Sequence, residues 1–375
     1  MRKTDTFLTR LDCCDDPSTQ KRTPRRPLND LSTFVVERLP TLLADTKAQE
    51  LHDEAEQLAS QADPTGRESA LALLDAAMLQ RAVLSVGGKP GPEIAGLVEH
   101  ISGSIESIPG LTYEGVIHAN PLQADPRVFG SGESARAELF FYDVHARIEQ
   151  QLAIVISRLF QLLAADEGDT ESTREAIAAA QDGFHVMQKG FRALMHDLSK
   201  DAFSSMRRYF SNDHVQGMSG PSALFSAGVY CLDSLVQGQT AKVRAFQREH
   251  KFLRQEYYPR TTAMGDGFVG ITDMQKANSY VAQGRTISLH TQCSDHAGLS
   301  EDYAQLLHIG GQTRKMHMGV VKTFLPEVWT TTPTEVDGAK GTAGTSPKQI
   351  FDESIRMYDE EERRHRDSHT PSAHE

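Results

Sequence analysis

The sequence predicts an all-α protein. Apolar residues recur at helical spacing along most of the chain, and no stretch alternates apolar and polar residues with a period of two. Glycine and proline clusters fall mostly between the periodic stretches, where they punctuate them. At 375 residues the chain is long enough for two domains. The expected division is a disordered tail over 1–30, a small helical domain over 31–110, a larger helical domain over 111–360 and a second disordered tail over 361–375.

Residues 1–30 hold Pro17, Pro24, Pro27 and the basic run KRTPRR, the composition of a solvated tail. Asn29 and Asp30 are N-cap types, and Leu31, Phe34, Val35, Leu39 and Leu42 then keep helical spacing through Pro40. Thr46–Ala62, Gly66–Val86 and Glu93–Ile105 read as further helices, the last one preceded by the turn cluster GGKPGP. Residues 110–137 are irregular, and a loop of that length is often functional or packs across another domain. Glu138–Ala165 follows as a long helix, its stripe made of Phe141, Val144, Ile148, Leu152, Val155, Leu159 and Leu162. Glu171–Leu198 and Lys200–Phe210 are helical, and the segment GMSGPSA leads into Leu224–Val236. Lys242–Gln255, weaker helices within 272–300 and Glu301–Leu325 come next. The Thr/Gly-rich stretch 330–346 reads as a mobile loop before a charged helix at Pro347–Arg364.

A net charge of −12 argues against a nucleic-acid binder, which carries a basic excess. Cys13, Cys14, Cys231 and Cys293 have unpatterned spacings, so a disulfide framework is not expected and a reducing cytoplasm fits. No apolar run approaches the roughly 20 residues that cross a bilayer, and no apolar region follows the early charges as in a secretory signal.

Chemistry concentrates in a few stretches. In TRKMHMGVVKTFLP, residues 313–326, His317, Val320, Val321 and Phe324 share one helix face, while Lys315 and Lys322 lie on the other. A histidine in an apolar stripe is either a hydrogen-bonded core residue or an axial ligand, since haem iron takes a neutral imidazole. In KDAFSSMRRYF, residues 200–210, Phe203, Arg207 and Phe210 lie on one side. An arginine so placed either snorkels to the surface or lines a cavity and holds an anion bidentately, as for a substrate carboxylate. The Gly217–Ser222 and Gly341–Thr345 segments precede helices; each is a plain loop or linker, or else an anion-facing turn in the first case and a lid in the second. His290, Cys293 and His296 have a spacing a zinc site could use, but a closed site needs four ligands and no second cluster accompanies them.

Together these stretches resemble the indoleamine 2,3-dioxygenase family of the haem-dependent tryptophan dioxygenase superfamily. TRKMHMGVVKTFLP looks like its proximal-histidine helix, KDAFSSMRRYF like its distal helix, GMSGPSALFSAGVYCLDSLVQG like the turn and helix beside the haem, and AKGTAGT like the loop that closes over substrate. The loop HANPLQADPRVFGSGES, with the helix behind it, is similar to the monodechloroaminopyrrolnitrin synthase branch, which rearranges a chlorinated tryptophan. The resemblance covers roughly residues 110–360. Two positions depart from it: Tyr142 stands near where the dioxygenases have a small or basic distal residue, with His145 one turn on, and Ala343 replaces a usual glycine.

The resemblance implies an indoleamine 2,3-dioxygenase-like helical haem domain behind a small N-terminal helical domain. It implies haem b with His317 as the iron's axial base, and Ser219, Gly220 and Phe203 beside the cofactor. Arg207 would hold the carboxylate of an aromatic amino acid, with Phe203, Phe141, Gly341 and Thr342 completing the substrate site; Tyr142 would join Phe203 and Phe141 in the apolar wall, and Arg207, Tyr142 and His145 would be the catalytic residues. The implied activity is O2-dependent cleavage of tryptophan's indole ring, or a related oxygenation or rearrangement of a modified tryptophan in specialised metabolism. The alternative is a non-catalytic haem sensor or carrier, for which Arg207 and the closing loop have no use. On this reading a chain ending at Val336 keeps its cofactor and loses turnover.

Overall fold

The computed structural model describes residues 25–45, 47–65, 69–164, 169–210, 221–223, 226–238, 267–292, 297–326 and 347–369. Among them every regular element is helical, so the protein is all-α. The helices are α1 Asp30–Glu37, α2 Leu39–Ala44, α3 Ala48–Gln61, α4 Ala70–Ser85, α5 Pro92–Ser104, α6 Gly132–Leu162, α7 Thr170–Asp197, α8 Lys200–Arg207, α9 Ala227–Gln237, α10 Ile271–Ala282, α11 Ile287–Gln292, α12 Ala297–Phe324 and α13 Pro347–His369. A single π-helical turn, Gly115–Ala119, lies in the stretch expected to be irregular.

Pro40 divides the first expected helix. The chain breaks at Arg38, and Pro40 takes the start of α2, where its missing N–H costs nothing. Helix α6 begins at Gly132 rather than Glu138, because Glu138 faces inward and ties down the loop before it: its carboxylate accepts from the amides of Phe129 and Gly130. The charged last helix continues past Arg364 to His369, so the tail expected from residue 361 is helical over its first residues. His365 explains the extension: it is buried, with Nε2 at 2.8 Å from Ser300 Oγ on α12. The tail through residue 24, Lys242–Gln255, Cys293, His296 and the loop 330–346 lie outside the described residues.

Buried apolar side chains form one cluster running from Leu28 to Tyr358. Its centre is three long helices, α6, α7 and α12, with α7 packed between the other two and α13 laid along α12. Small residues set these crossings. A Cβ at Gly190 of α7 would fall 2.4 Å from Ile148 of α6, and one at Gly310 of α12 would fall 2.3 Å from the ring of Tyr358 on α13. α13 is therefore part of the core, with Ile350, Phe351 and Tyr358 buried. That overturns the expectation for a chain ending at Val336, which would lose a core helix and not just a lid.

The N-terminal helices are joined to the rest by a buried charge network. Arg127 is fully buried; its guanidinium donates to Asp75 of α4 at 2.8 and 3.1 Å, to Asp125 at 3.0 Å and to the Arg25 carbonyl at 2.5 Å. Ser32 of α1 donates to the same Asp75 at 2.6 Å. Burial pushes the Asp75 carboxyl up, and the Arg127 guanidinium opposes that shift. Removing one partner of such a network strands buried charge. Arg127→Leu should lower stability by about 3–5 kcal/mol in urea unfolding. Arg38→Ala, which removes an exposed pair with Glu54, should cost less than about 1 kcal/mol.

Candidate functional site

A cavity opens between α6, α7, α8, α12 and α13. Five of the residues singled out in the sequence line it: Phe141 and His145 from α6, Phe203 and Arg207 from α8, and His317 from α12. Helical spacing accounts for each pair. Phe141 and His145, like Phe203 and Arg207, are four residues apart, so each pair shares a face. Val320, Val321 and Phe324 continue the His317 face into the same wall.

The His317 ring lies flat against Phe191 of α7, with centroids 4.5 Å apart and planes at 14°. Phe351 of α13 meets it edge-on at 4.9 Å. Burial holds the His317 imidazole neutral, at a pKa of about 3, and the positive charge of Arg314 adds to that effect. His145 sits with Nδ1 at 2.8 Å from the Phe141 carbonyl, which can only accept, so Nδ1 carries the proton and Nε2 keeps a lone pair. Burial lowers its pKa to about 4, against the opposing pull of that carbonyl. The cavity thus presents two uncharged histidines within aromatic and aliphatic walls.

Arg207 is half-buried at the end of α8 and is among the residues that line the cavity. Its helix is secured from α4. Arg81 donates to the carbonyls of Tyr209 at 3.1 Å and Arg208 at 2.7 Å, groups left without helical partners just past the helix end. Phe129 stacks on Tyr209 at 4.3 Å and fixes the same turn.

Tyr142 is not a cavity residue. It is 1% exposed, and its hydroxyl donates to Glu138 Oε1 at 2.5 Å. One residue along a helix turns a side chain by about 100°, so Tyr142 shares the face of Glu138 while His145 takes the cavity face with Phe141. Its role is to hold the N-terminal part of α6 together. Ser219, Gly220, Gly341 and Thr342 lie outside the described residues.

A second chamber adjoins the first and shares Tyr113, His145, Phe191, His317 and Phe351 with it. It is more polar, adding Glu149, Tyr230, Asp233 and Arg314. Asp233 of α9 accepts from Arg314 Nη2 at 2.6 Å and from the Tyr358 hydroxyl at 2.6 Å, which joins α9, α12 and α13 at one carboxylate. Sequence reasoning missed Phe191, Phe351 and Tyr113. Phe184, Met187, Phe191 and Leu194 on α7 do follow a helical stripe, but core packing alone would produce the same pattern.

Among the described residues no three His, Cys, Asp or Glu side chains gather as ligands for a bare metal ion. A lone imidazole on an apolar wall can hold only an ion that brings its other ligands with it. Comparison with known protein families and with curated proteins finds no family and no curated protein that matches this chain.

The histidines have a consequence for stability. Below its ordinary value of 6.5 an imidazole gains a proton when unfolded, whereas folded His145 does so only near 4. The unfolded state therefore binds more protons between these values, and stability falls as pH drops through that window. His145→Gln should flatten the acid limb of the urea stability profile between about pH 6.5 and about pH 4, compared with the native chain. An unchanged slope would mean that His145 is charged in the fold.

Proposed function

We propose that this chain binds haem b through His317 and is an O2-dependent oxygenase acting on an aromatic amino acid. The substrate is tryptophan or a modified tryptophan, the setting is specialised metabolism, and the domain is a helical haem domain of the indoleamine 2,3-dioxygenase kind. One observation carries the reading: His317, His145, Arg207, Phe203 and Phe141, from three helices well separated in sequence, line a single apolar cavity.

The residues fit the group. An axial ligand must be a neutral imidazole, and burial keeps His317 neutral at any ordinary pH. Phe191 and Phe351 fix the ring's orientation, so little freedom is lost when it ligates. When bound, haem supplies the binding and activation of O2, which no protein side chain can. The chain's own residues do the rest. Arg207 pairs with the substrate carboxylate, and Phe141 and Phe203, whose rings lie 5.7 Å apart, provide a surface for an indole. His145 Nε2 can accept a hydrogen bond from the substrate, because Phe141's carbonyl has fixed the proton on Nδ1. The apolar lining excludes water, which strengthens the Arg207 pair and holds the substrate in one orientation. A carrier or sensor of haem has no need of a cation in the ligand cavity, and Arg207 therefore favours an enzyme.

Protein purified with haem supplied should show a Soret band, and His317→Ala should weaken or shift it while circular dichroism keeps its helical signal. Arg207→Leu should keep the band and weaken binding of the amino acid tenfold or more, since a charge-assisted hydrogen bond contributes about 1.5–3 kcal/mol. A chain that takes up no haem, or whose His317→Ala spectrum is unaltered, has another function.

A further inference from the structure

The polar groups behind the cavity wall have no part in the reading above, and several lack partners. Glu149 of α6 lines the second chamber, and its Oε1 accepts from the Tyr113 hydroxyl at 2.9 Å. Its other oxygen, Oε2, closes a hydrogen bond with no described atom, although Ser226 and the Gly228 amide at the start of α9 lie near enough to favour its ionised form. His118 stands 4.0 Å from that oxygen through Nε2, and both of its ring nitrogens are unpartnered among the described residues. The side chains of His118 and Glu149 are 3% and 1% exposed.

Orphaned polar atoms this deeply enclosed cost several kcal/mol unless something completes them. The geometry identifies what that is. Two hydrogen bonds of about 2.8 Å meeting at about a right angle span close to the Nε2 to Oε2 separation, which is the spacing that one bridging water requires. His118 owes its position to the π-helical turn at Gly115–Ala119, and such turns recur at functional sites. Its ring is held against Phe268, with centroids 4.3 Å apart. The charged and titratable groups around Glu149 are Tyr113 and His118 on one side and Cys231 on α9. His145 lies one turn back on α6, and across the chamber stand Tyr230, the Asp233–Arg314 pair and His317.

We propose that Tyr113, Glu149 and His118, joined by one enclosed water, form a proton-holding site in the wall of the second chamber that exchanges a proton with a polar group of the bound ligand. Glu149 is the holder. In the protonated state its Oε2–H donates through the water to His118 Nε2, which stays neutral, and Tyr113 donates to Oε1. On exchange, a ligand X–H gives its proton to the Glu149 carboxylate and keeps the bonding electron pair; the reverse step returns it, so no oxidant or reductant is required. Burial pushes the Glu149 carboxyl up to about 7, while Ser226, Tyr113 and the Gly228 amide pull it down. A group poised there can act in either direction at neutral pH.

The test needs no cofactor, so it stands or falls apart from the haem reading. Infrared spectra of the full chain, recorded between about pH 5 and about pH 9, follow the protonated carboxyl band across the range where ordinary carboxyls are already ionised. Glu149→Gln should remove a component that titrates near 7 and leave a second one from Glu138, whose carboxyl is pushed to a similar value. Tyr113→Phe should move the Glu149 midpoint upward by about half to one pH unit, because the ionised form loses a donor. His118→Phe should shift the band to higher frequency, since the proton loses its acceptor. Saturating indole, used as the probe that fills the cavity, should raise the midpoint in the native chain. The proposal is overturned if Glu149→Gln leaves the whole neutral-range signal in place, with no component lost beside that of Glu138. Should that variant fail to fold, the proposal is equally overturned if neither Tyr113→Phe nor His118→Phe alters the band. A midpoint unmoved by indole removes the link between the site and the chamber.

Discussion

Asp233 is the point on which the cavity's geometry depends. One carboxylate on α9 accepts from Arg314 on α12 and from Tyr358 on α13, and Arg314 lies one turn before His317. The His317 imidazole is thus held by a charge pair rather than by apolar packing alone, which is slippery because it has no direction. The pair is largely buried, so its worth lies in register more than in net stability, desolvation consuming much of the attraction. With α12 fixed in rotation, Val320, Val321 and Phe324 must face the same cavity as His317.

Periodicity made the helices legible, because an amphipathic helix advertises its buried face. Boundaries were less legible where a tertiary contact decides them. Glu138 is the expected start of its helix, yet it is buried to hold the amides of Phe129 and Gly130, and this lets α6 start earlier. His365 sits in a run of charges that looks like a solvated tail, and only Ser300 across the interface shows why the helix continues. For the site, spacing within one helix was informative and adjacency was misleading. Phe141 and His145 reach the cavity together, while Tyr142, next to Phe141 in the chain, turns away to Glu138. Phe191 and Phe351 could not be named beforehand, since nothing in a single sequence says which of many buried aromatics will stack on one histidine.

The cavity combines very few polar groups with walls that keep them in defined states. His317 and His145 are uncharged, Arg207 is charged, and Glu149 is poised between. Each state follows from a local cause: burial for the histidines, the chemistry of a guanidinium for the arginine, and burial opposed by hydrogen-bond donors for the glutamate. A ligand therefore meets a fixed electrostatic pattern and does not need to induce one, which is the condition under which polar contacts contribute most to orientation.

The cavity's walls come from Tyr113 at one extreme and Phe351 at the other, with α6, α7, α8 and α12 between. Such contacts join residues far apart along the chain, and closing them carries a loop entropy that local helix formation does not. During synthesis the N-terminal helices can gather around their own apolar faces well before α13 has emerged from the ribosome. Ile350 and Phe351, the last of its lining residues along the chain, supply the wall that meets the His317 ring, so the chamber can be completed only once α13 has docked.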